Sequence, residues 1–366
     1  MKYVVFVIAC MVATAFAGAT AEPSRTADGY MEATAPWDWH FPSDHGRHDG
    51  FKTEWWYFTG NVSDSSGRPF GFELTFFRTA LTPQTIQRKS GWALRDLYFA
   101  HGAISDLRDK IFLFKDRIER GRPGFAWADD AKLDVTLLDW VAQSDDRNDI
   151  HLVSKSDDFA IDLTCAPGRG PILEGPAGVN RKGPTIEQAS YYYSMTRLPT
   201  TGTLSVKGQT FGVSGQTWMD HEFSSNALSA DQVGWDWMGL NLADGNDLMV
   251  YRMRNKTGGN NYLSATLIPP QGPPQYLNAT QLALTGDDPW TSQESGGTYP
   301  QRWRLRAGPL GDLTIQSAMP GQELLTGDTT HVDYFEGSCR VTDANGKPDG
   351  QGYLEMTGYA NSVPGT

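Results

Sequence analysis

The sequence is poor in cysteine, in clustered positive charge and in long apolar stretches. It has three cysteines among 366 residues, and none stands in the closely spaced pairs that bind structural zinc. No run of four or more Lys or Arg occurs and the net charge is −12, which disfavours binding to nucleic acid or to anionic membranes. Beyond the N-terminal leader, no stretch approaches the ~20 apolar residues of a transmembrane helix. We therefore expect a soluble or peripheral mature protein.

Several catalytic motifs are also missing. The sequence contains no GxSxG elbow, no Walker A loop and no GxGxxG turn, so serine α/β-hydrolase, P-loop and Rossmann chemistry have no support. The HExxH pattern of zinc proteases is absent too. We expect any chemistry to need no cofactor, and we assign no metal ligand.

Aromatic and turn-forming residues are abundant. The chain holds 17 Phe, 14 Tyr, 12 Trp, 39 Gly and 21 Pro, and this mixture favours pleated sheets joined by tight turns. Short alternating runs at sheet spacing recur, and helical periodicity is limited to a short piece near residues 82–88. The pattern predicts an all-β chain built as sandwiches or closed barrels. Residues 166–183, 269–274 and 286–300 are predicted to be long loops.

The N-terminus predicts export. Met1-Lys2, an apolar stretch over residues 3–16 and the small residues before Ala21 form the three zones of a signal peptide, residues 1–21, with cleavage after Ala21. Lipidation at Cys10 is the less favoured alternative. A periplasmic or secreted location is therefore expected, and in an oxidising compartment Cys165 and Cys339 either form a disulfide between the two halves or remain two buried thiols.

The rest of the chain is longer than one compact core normally reaches, which predicts two domains. Residues 22–35 are small and polar and are predicted to be a disordered linker. Residues 36–225 and 226–363 are the two predicted domains. A strand that opens with aromatic residues at Trp55 is echoed by a similar strand at Trp235, as a duplication would produce.

The densest polar cluster lies at residues 40–49 and includes His45 and His48, with Glu54 close behind. Such residues can transfer protons or ligate a metal, or they can serve only as loop hydrogen-bond partners. Glu54 precedes a Trp-Trp-Tyr strand, so burial would raise its pKa and make it a candidate proton donor. The alternative is an ion pair with Arg47 or Arg78.

A second cluster is Asp220-His221-Glu222, which follows Trp218. On an extended strand Asp220 and Glu222 would point to one face and His221 to the other, which could place two carboxylates on a cavity wall. The alternative is a solvated acidic hinge between domains.

Two further candidates lie between these clusters. His101 sits in an apolar strand, where a histidine is more often a core residue than a catalyst. Tyr192 belongs to a run of three tyrosines, which are either ordinary barrel wall or the lining of a cavity for unsaturated or polycyclic ligands.

Five motifs occur in an order that resembles the hydroxyneurosporene synthase (carotenoid 1,2-hydratase) and AttH-like family. They are Asp44-His45-Gly-x-His48, Thr53-Glu54-Trp55-Trp56-Tyr57-x-Thr-Gly60, Phe99-Ala-His101, Ser190-Tyr-Tyr-Tyr-Ser194-x-x-Arg197 and Gly215-x-x-Trp218-Met-Asp220-His221-Glu222. The resemblance extends over residues 38–359. It implies two lipocalin-like antiparallel β-barrel domains in tandem, with a ligand cavity at the first barrel and its junction with the second.

The family includes carotenoid hydratases, fungal kievitone hydratase, pericyclase-type proteins and secreted bacterial proteins labelled as hydrolases. It therefore implies a fold rather than one reaction. The signal peptide and the plain EWWY and MDHE patterns are closer to the AttH-like branch, whose members are often associated with ABC exporters. An exporter is thus an expected partner, beside a hydrophobic small-molecule ligand.

Hydration of an alkene is the leading functional hypothesis. It needs a shielded acid, aromatic faces that stabilise a cation, and a base that orients water. The acid is Asp220 or Glu54, and His221 or His101 positions the water, with Glu222 nearby. The predicted substrate-binding residues are Trp55, Trp56, Tyr57, Tyr192, Trp218, Trp235, His45 and His48.

Two other functions remain open at this stage. A periplasmic lipid or isoprenoid carrier would use the same apolar cavity for binding alone. A hydrolase would lack a recognisable nucleophile. The three carboxylates Glu54, Asp220 and Glu222 favour the enzyme, because they are costly in a purely apolar binder.

Overall fold

The computed structural model describes residues 23–84, 94–226, 228–229, 231–257, 259–327 and 329–360. The predicted signal peptide with its cleavage site, the alternative lipidation site at Cys10 and most of the short helix predicted near residues 82–88 lie outside these ranges. Within them, no helix has the length and apolar character needed to cross a membrane.

The described residues form strands joined by turns and three single-turn 3₁₀ helices at Ser43–His45, Pro176–Gly178 and Gly308–Leu310. The strands are β1 Thr53–Asp64, β2 Pro69–Ala80, β3 Asp96–Asp106, β4 Ile111–Arg120, β5 Ala126–Ala128, β6 Asp134–Leu137, β7 Trp140–Ser144, β8 Ile150–Lys155, β9 Phe159–Cys165, β10 Ile172–Leu173, β11 Val179–Arg181, β12 Ala189–Val206, β13 Gln209–Ser224, β14 Gln232–Leu242, β15 Asp247–Asn255, β16 Asn260–Ile268, β17 Gln275–Asn278, β18 Leu282–Thr291, β19 Thr298–Ala307, β20 Asp312–Ser317, β21 Glu323–Leu324, β22 Tyr334–Asp343 and β23 Pro348–Met356.

These strands build two antiparallel, barrel-like sheets. The first sheet has the order β4-β3-β2-β1-β13-β12-β9-β8-β7-β6-β5, and the second has the order β17-β16-β15-β14-β23-β22-β20-β19-β18. In chain order, the first strand of each sheet pairs with both the second and the last strand of that sheet. Strand β1 pairs with β2 and β13, and strand β14 pairs with β15 and β23. This is the repeated design that the sequence echo predicts. The all-β fold with two lipocalin-like barrels in tandem is confirmed.

Alternation along the strands directs side chains into separate apolar cores. Trp56 and Phe58 of β1 face the core of the first sheet, and Trp303 of β19 lies in the core of the second. Tyr57 points the opposite way and packs with Trp237 of β14 in a third cluster. Because successive side chains on a strand point to opposite faces, the outer face of the first sheet packs against the second sheet.

Several local predictions differ from the structure. Residues 286–300 are mostly strand rather than loop, since β18 and β19 continue as a paired hairpin through Trp290 and Tyr299. The apolar run at residues 133–140, which is typical of a single strand, forms β6 and the start of β7 instead, because Leu138 with its φ of 56° turns the chain between them. Strands β4, β12 and β13 run through segments whose charged or glycine residues hide the alternation in the sequence.

The segment 23–35 also differs from the disordered linker that its composition predicts. Tyr30 and Ala33 are buried, and the Tyr30 hydroxyl donates a hydrogen bond to the carbonyl oxygen of Ala80 at 2.8 Å. An isolated bridge joins Arg25 to Met31. A few well-placed apolar side chains thus anchor a largely polar segment to the first sheet.

The two cysteines of the described chain are free. Cys165 ends β9 in the first sheet and Cys339 lies in β22 of the second, and both are buried. The structure therefore corresponds to the second of the two predicted alternatives, a pair of buried thiols. Burial raises the pKa of the Cys339 thiol, which makes it an inert group.

Candidate functional site

A cavity of about 470 Å³ lies between the two sheets. One wall comes from the outer face of the first sheet, on β1, β2, β3, β12 and β13, and the other from β14, β15, β22 and β23 of the second. Neighbouring strands are ~4.8 Å apart, so a wall that reaches from β3 across β2, β1 and β13 to β12 is roughly 19 Å wide. The cavity therefore suits an extended ligand.

Strand register explains which side chains of the first sheet reach the cavity. His101, Thr75, Tyr57 and Asp220 are successive cross-strand partners on β3, β2, β1 and β13. Cross-strand partners share a face of the sheet, and so do residues two positions apart. The adjacent row that results is Phe99, Phe77, Trp55, Glu222 and Tyr192.

The second sheet supplies an opposing aromatic wall. Trp237 is the cross-strand partner of both Tyr251 and Glu355. Its ring meets the ring of Tyr57 edge-on with the centroids 5.2 Å apart. The Tyr57 hydroxyl donates a hydrogen bond to Oε2 of Glu336 at 2.8 Å. These contacts bind the two walls to each other across the cavity.

Asp220 accepts three hydrogen bonds at the cavity wall. Its Oδ1 accepts from Ser194 Oγ and from Trp218 Nε1, and its Oδ2 accepts from the Tyr192 hydroxyl, each at 2.6 Å. Burial nevertheless outweighs these donors and raises the pKa of Asp220 to about 7, with the neighbouring Glu222 adding to the shift. Asp220 is thus poised to hold a proton near neutral pH.

Glu222 lies beside Asp220 on the same face and is paired with a cation. Lys182, which follows β11, places its Nζ 2.9 Å from Oε1 of Glu222. The same ammonium lies 4.0 Å from the ring centroid of Tyr251 and 5.0 Å from that of Tyr192. The ion pair and the cation–π contacts hold Glu222 at the cavity wall.

Two further carboxyl groups line the cavity from the second sheet. Glu336 and Glu355 are cross-strand partners on β22 and β23. Burial raises the pKa of Glu355 to about 8, and burial together with Glu355 raises the pKa of Glu336 as well. Both groups are therefore neutral near neutral pH, which keeps this wall compatible with an apolar ligand.

A separate polar cluster lies on the inner face of the first sheet. Oε1 of Glu54 contacts His48 Nδ1 at 2.7 Å and His221 Nε2 at 3.0 Å, and Oε2 of Glu54 pairs with Arg78 Nε at 3.0 Å. Burial opposes ionisation of Glu54, but Arg78 and the two histidines outweigh it, so its pKa lies well below the usual range.

The prediction that burial would make Glu54 a proton donor is therefore wrong. Arg78 is its ion-pair partner, which is one of the two alternatives that the sequence leaves open. An ionised carboxylate that is already paired with a guanidinium holds no proton to give.

His48, Glu54 and His221 form a group whose ligand atoms lie within 4.8 Å of one another and could hold one metal ion. The remaining ring nitrogens are also engaged, since His48 Nε2 contacts Asp44 Oδ1 at 3.0 Å and His221 Nδ1 contacts the Tyr193 hydroxyl at 3.1 Å. Arg78 already supplies a positive charge to Glu54. The ring nitrogens of both histidines and the carboxylate of Glu54 therefore all have partners within the protein.

The structure brings most of the predicted site residues to the cavity and leaves others behind the sheet. Those in the cavity wall are Trp55, Tyr57, His101, Tyr192, Asp220, Glu222 and Trp235. Glu54 also borders the cavity, although both of its carboxylate oxygens are bonded within the inner polar cluster. Trp218 is not one of the lining residues, but it lies on the same face of the sheet as Asp220 and donates a hydrogen bond to it. Four further predicted site residues do not line the cavity: His45, His48, Trp56 and His221. The predictions that the first three bind substrate and that His221 positions water are therefore wrong. Alternation turns Trp56 and His221 inward, where their rings stack at 4.9 Å.

Comparison with known proteins gives the family. The AttH-like family model matches residues 32–359. The chain belongs to the AttH-like family. An AttH-type protein from Nitrosomonas europaea is 33% identical, with a TM-score of 0.80 over 88% of this chain and 97% of that one. Kievitone hydratase from Nectria haematococca is 17% identical, with a TM-score of 0.69 over 93% of this chain and 98% of that one, and shares the fold. No curated protein sequence matches the chain significantly.

The cavity of this AttH-like protein also contains residues that the sequence motifs do not indicate. They include Lys182, Trp237, Tyr251, Tyr334, Glu336 and Glu355. For Trp237 a signal existed, because it lies two positions after Trp235 and so shares its face. The others reach the cavity only through packing of the second sheet and of the β11–β12 segment, for which the local sequence carries no signal.

Proposed function

We propose that this protein adds water to a carbon–carbon double bond of an isoprenoid or lipid-like ligand, with Asp220 as the proton donor. The observation that carries the proposal is a fully buried carboxyl group with its pKa raised to about 7 in the wall of a largely aromatic cavity. An isolated alkene is a weak base, and its protonation requires a shielded acid. Asp220 meets that requirement, whereas Glu54 is ionised and paired.

The surroundings of Asp220 favour proton transfer. When the proton moves to an alkene carbon, a carboxylate remains whose two oxygens face three donors, from Ser194, Tyr192 and Trp218. Donors that are already in place stabilise charge as it develops and need no rearrangement. The indole of Trp218 can only donate, so the proton of the acid is held on Oδ2, beside Tyr192.

The cavity also contains groups for the following steps. The positive charge on carbon would lie among the rings of Trp55, Trp235 and Trp237, whose faces attract cations. Glu222 follows Asp220 by two positions on the same face, roughly 7 Å along the strand. In the proposed reaction a water oxygen bonds to the carbocation and one water proton passes to Glu222. Return of that proton through solvent to Asp220 completes the cycle.

The test is mass analysis of ligands before and after incubation with the mature protein. Native mass spectrometry after exposure to a lipid and isoprenoid extract should detect a bound species that gains the mass of one water. Asp220→Asn should retain the ligand but abolish the mass gain. Asp134→Asn is the matched control, since Asp134 is buried in the same sheet and bonds Gln143 instead of lining the cavity. Full turnover by Asp220→Asn would remove the acid from this role.

A non-enzymatic carrier is the second candidate function. It is favoured by the internal neutralisation of the cavity, where Lys182 pairs with Glu222 and Glu355 is held neutral by burial. Such a wall accepts a neutral apolar cargo without leaving a charge unpaired. Ligand that is bound and released unchanged by the wild-type protein would establish the carrier. The predicted signal peptide and a neighbouring ABC exporter would then describe a periplasmic transport role, for which a mature N-terminus at Glu22 is the first check.

A further inference from the structure

A second hydrogen-bonded group lines the cavity and takes no part in the proposed reaction. Nδ1 of His101 on β3 lies 2.6 Å from the hydroxyl of Tyr334 on β22. Nε2 of His101 lies 3.5 Å from Oγ1 of Thr329, which in turn donates to Oδ2 of Asp116 at 2.7 Å. The group joins the two sheets, and His101, Thr329 and Tyr334 all contribute to the cavity wall.

The direction of each hydrogen bond in this group follows from counting hydrogens. The hydroxyl of Thr329 has one hydrogen, and the carboxylate of Asp116 takes it, so Thr329 can only accept from His101. Nε2 of His101 is therefore the protonated nitrogen. Burial lowers the pKa of His101 to about 4, which keeps the imidazole neutral and leaves Nδ1 without a hydrogen. The Tyr334 hydroxyl must then donate to Nδ1.

This arrangement makes the Tyr334 hydroxyl a hydrogen-bond acceptor towards the cavity. Its single hydrogen is used on His101, while its oxygen keeps acceptor capacity. In the described part of the chain, His101 is the hydrogen-bond partner found for this hydroxyl. Tyr334 can accept a hydrogen bond from a ligand but has none to donate. A carbonyl or an ether oxygen at this position would find no hydrogen to accept from Tyr334.

The position of the group relative to Asp220 follows from strand register. His101 and Asp220 lie in the same cross-strand row, separated by Thr75 and Tyr57 on the two strands between them. Three strand spacings of ~4.8 Å place the two residues roughly 14 Å apart. That separation is too large for His101 to act on the carbon that Asp220 would protonate. His101 and Tyr334 would instead lie beside the opposite end of an extended ligand.

We propose that the Tyr334 hydroxyl accepts a hydrogen bond from a hydroxyl group at the far end of an extended apolar ligand. His101 is the positioning residue that keeps Tyr334 an acceptor. The ligand class is therefore a long unsaturated alcohol, with its hydroxyl at Tyr334 and its other end at Asp220. The location of the reacting end rests on the proposed function, whereas the preference for a hydroxyl rests on the His101 group alone.

Farnesol and farnesyl methyl ether are suitable probes, because they share a chain and differ in the donor. Binding is measured by quenching of tryptophan fluorescence in the full mature chain carrying Asp220→Asn, which prevents turnover. A hydrogen bond worth about 0.5–1.5 kcal/mol corresponds to a roughly 2- to 10-fold preference for the alcohol. Tyr334→Phe should remove the preference by weakening farnesol while leaving the ether unchanged. Equal affinities before substitution, equal losses in Tyr334→Phe, or no saturable binding of either probe would overturn the proposal.

Two measurements separate positioning from a merely structural role. His101→Leu frees the Tyr334 hydrogen, so the ether should gain affinity relative to the alcohol, an effect that general loosening of the cavity does not produce. Nitrogen NMR of the histidine ring, which needs no ligand, should show Nε2 protonated and Nδ1 bare. The opposite tautomer overturns the proposal even if a variant fails to fold. A preference for farnesol without any gain of water would leave this inference intact and contradict the proposed hydratase.

Discussion

The buried guanidinium of Arg78 provides a quantitative test of the inner polar cluster. Its Nε pairs with Glu54 at 3.0 Å and its Nη1 with Asp96 at 2.9 Å. Its Nη2 donates to the carbonyl oxygens of His48 and Phe51 at 2.9 and 3.0 Å. The Arg78 side chain is 0% exposed. Replacement by Met would keep much of the volume and leave the carboxylate of Glu54 buried without its cation.

Breaking a buried ion pair on one side costs about 3–5 kcal/mol, so Arg78→Met should lower the free energy of unfolding by that amount. Arg302→Met is the matched control, because Arg302 pairs with Asp287 at 2.6 Å while its side chain is 41% exposed. Solvent screens such a pair, so its loss should change the free energy of unfolding little. The assay is urea denaturation followed by tryptophan fluorescence at pH 7.

The double variant Glu54→Gln/Arg78→Met isolates the cause. Removal of the uncompensated carboxylate should recover part of the loss, because a neutral amide is less costly to bury than an ion. The reasoning would be refuted if Arg78→Met were no more destabilising than the exposed control. A double variant that is less stable than Arg78→Met alone would equally contradict it.

Three further predictions concern titration and redox state. If Asp220 is the acid, hydration should fall as pH rises through about 7, where Asp220 loses its proton, and a flat profile from pH 5 to 9 would contradict the assignment. The raised pKa of Glu355, about 8 through burial, means that the folded state keeps a proton that the unfolded state releases near pH 4.5. Stability should therefore decline between these values, by up to about 1.4 kcal/mol per pH unit, and Glu355→Gln should flatten the decline in urea midpoints. Thiol titration of the denatured, unreduced mature protein should find both Cys165 and Cys339 reactive, whereas a disulfide would leave neither.

The face on which a side chain lies was predictable wherever a single strand decides it. Asp220 and Glu222 share the cavity wall and His221 points away, as alternation alone predicts. The same period of two on β1 turns Trp56 into the core of the first sheet and Trp55 and Tyr57 towards the second sheet. The sequence therefore contains the signal that excludes Trp56 from ligand binding.

The ionisation of Glu54 was not predictable from its neighbours in the chain. Local burial indicates a raised pKa, but Arg78 on β2 and His221 on β13 reverse the direction. His221 reaches Glu54 only because β1 and β13 are paired in the fold. Likewise Tyr334 meets His101 only when the two sheets pack. Contacts between distant segments depend on the whole topology and leave no local pattern.

The division of the cavity between two sheets of similar design has an evolutionary consequence. The three donors that surround Asp220 all lie on β12 and β13 of the first sheet. Much of the opposing aromatic wall, including Trp235 and Tyr251, comes from the second. In the proposed hydratase, the first sheet would keep the proton chemistry while the second could diverge to select ligand shape. Substitutions on β14 and β15 would then change the preferred ligand without rebuilding the acid.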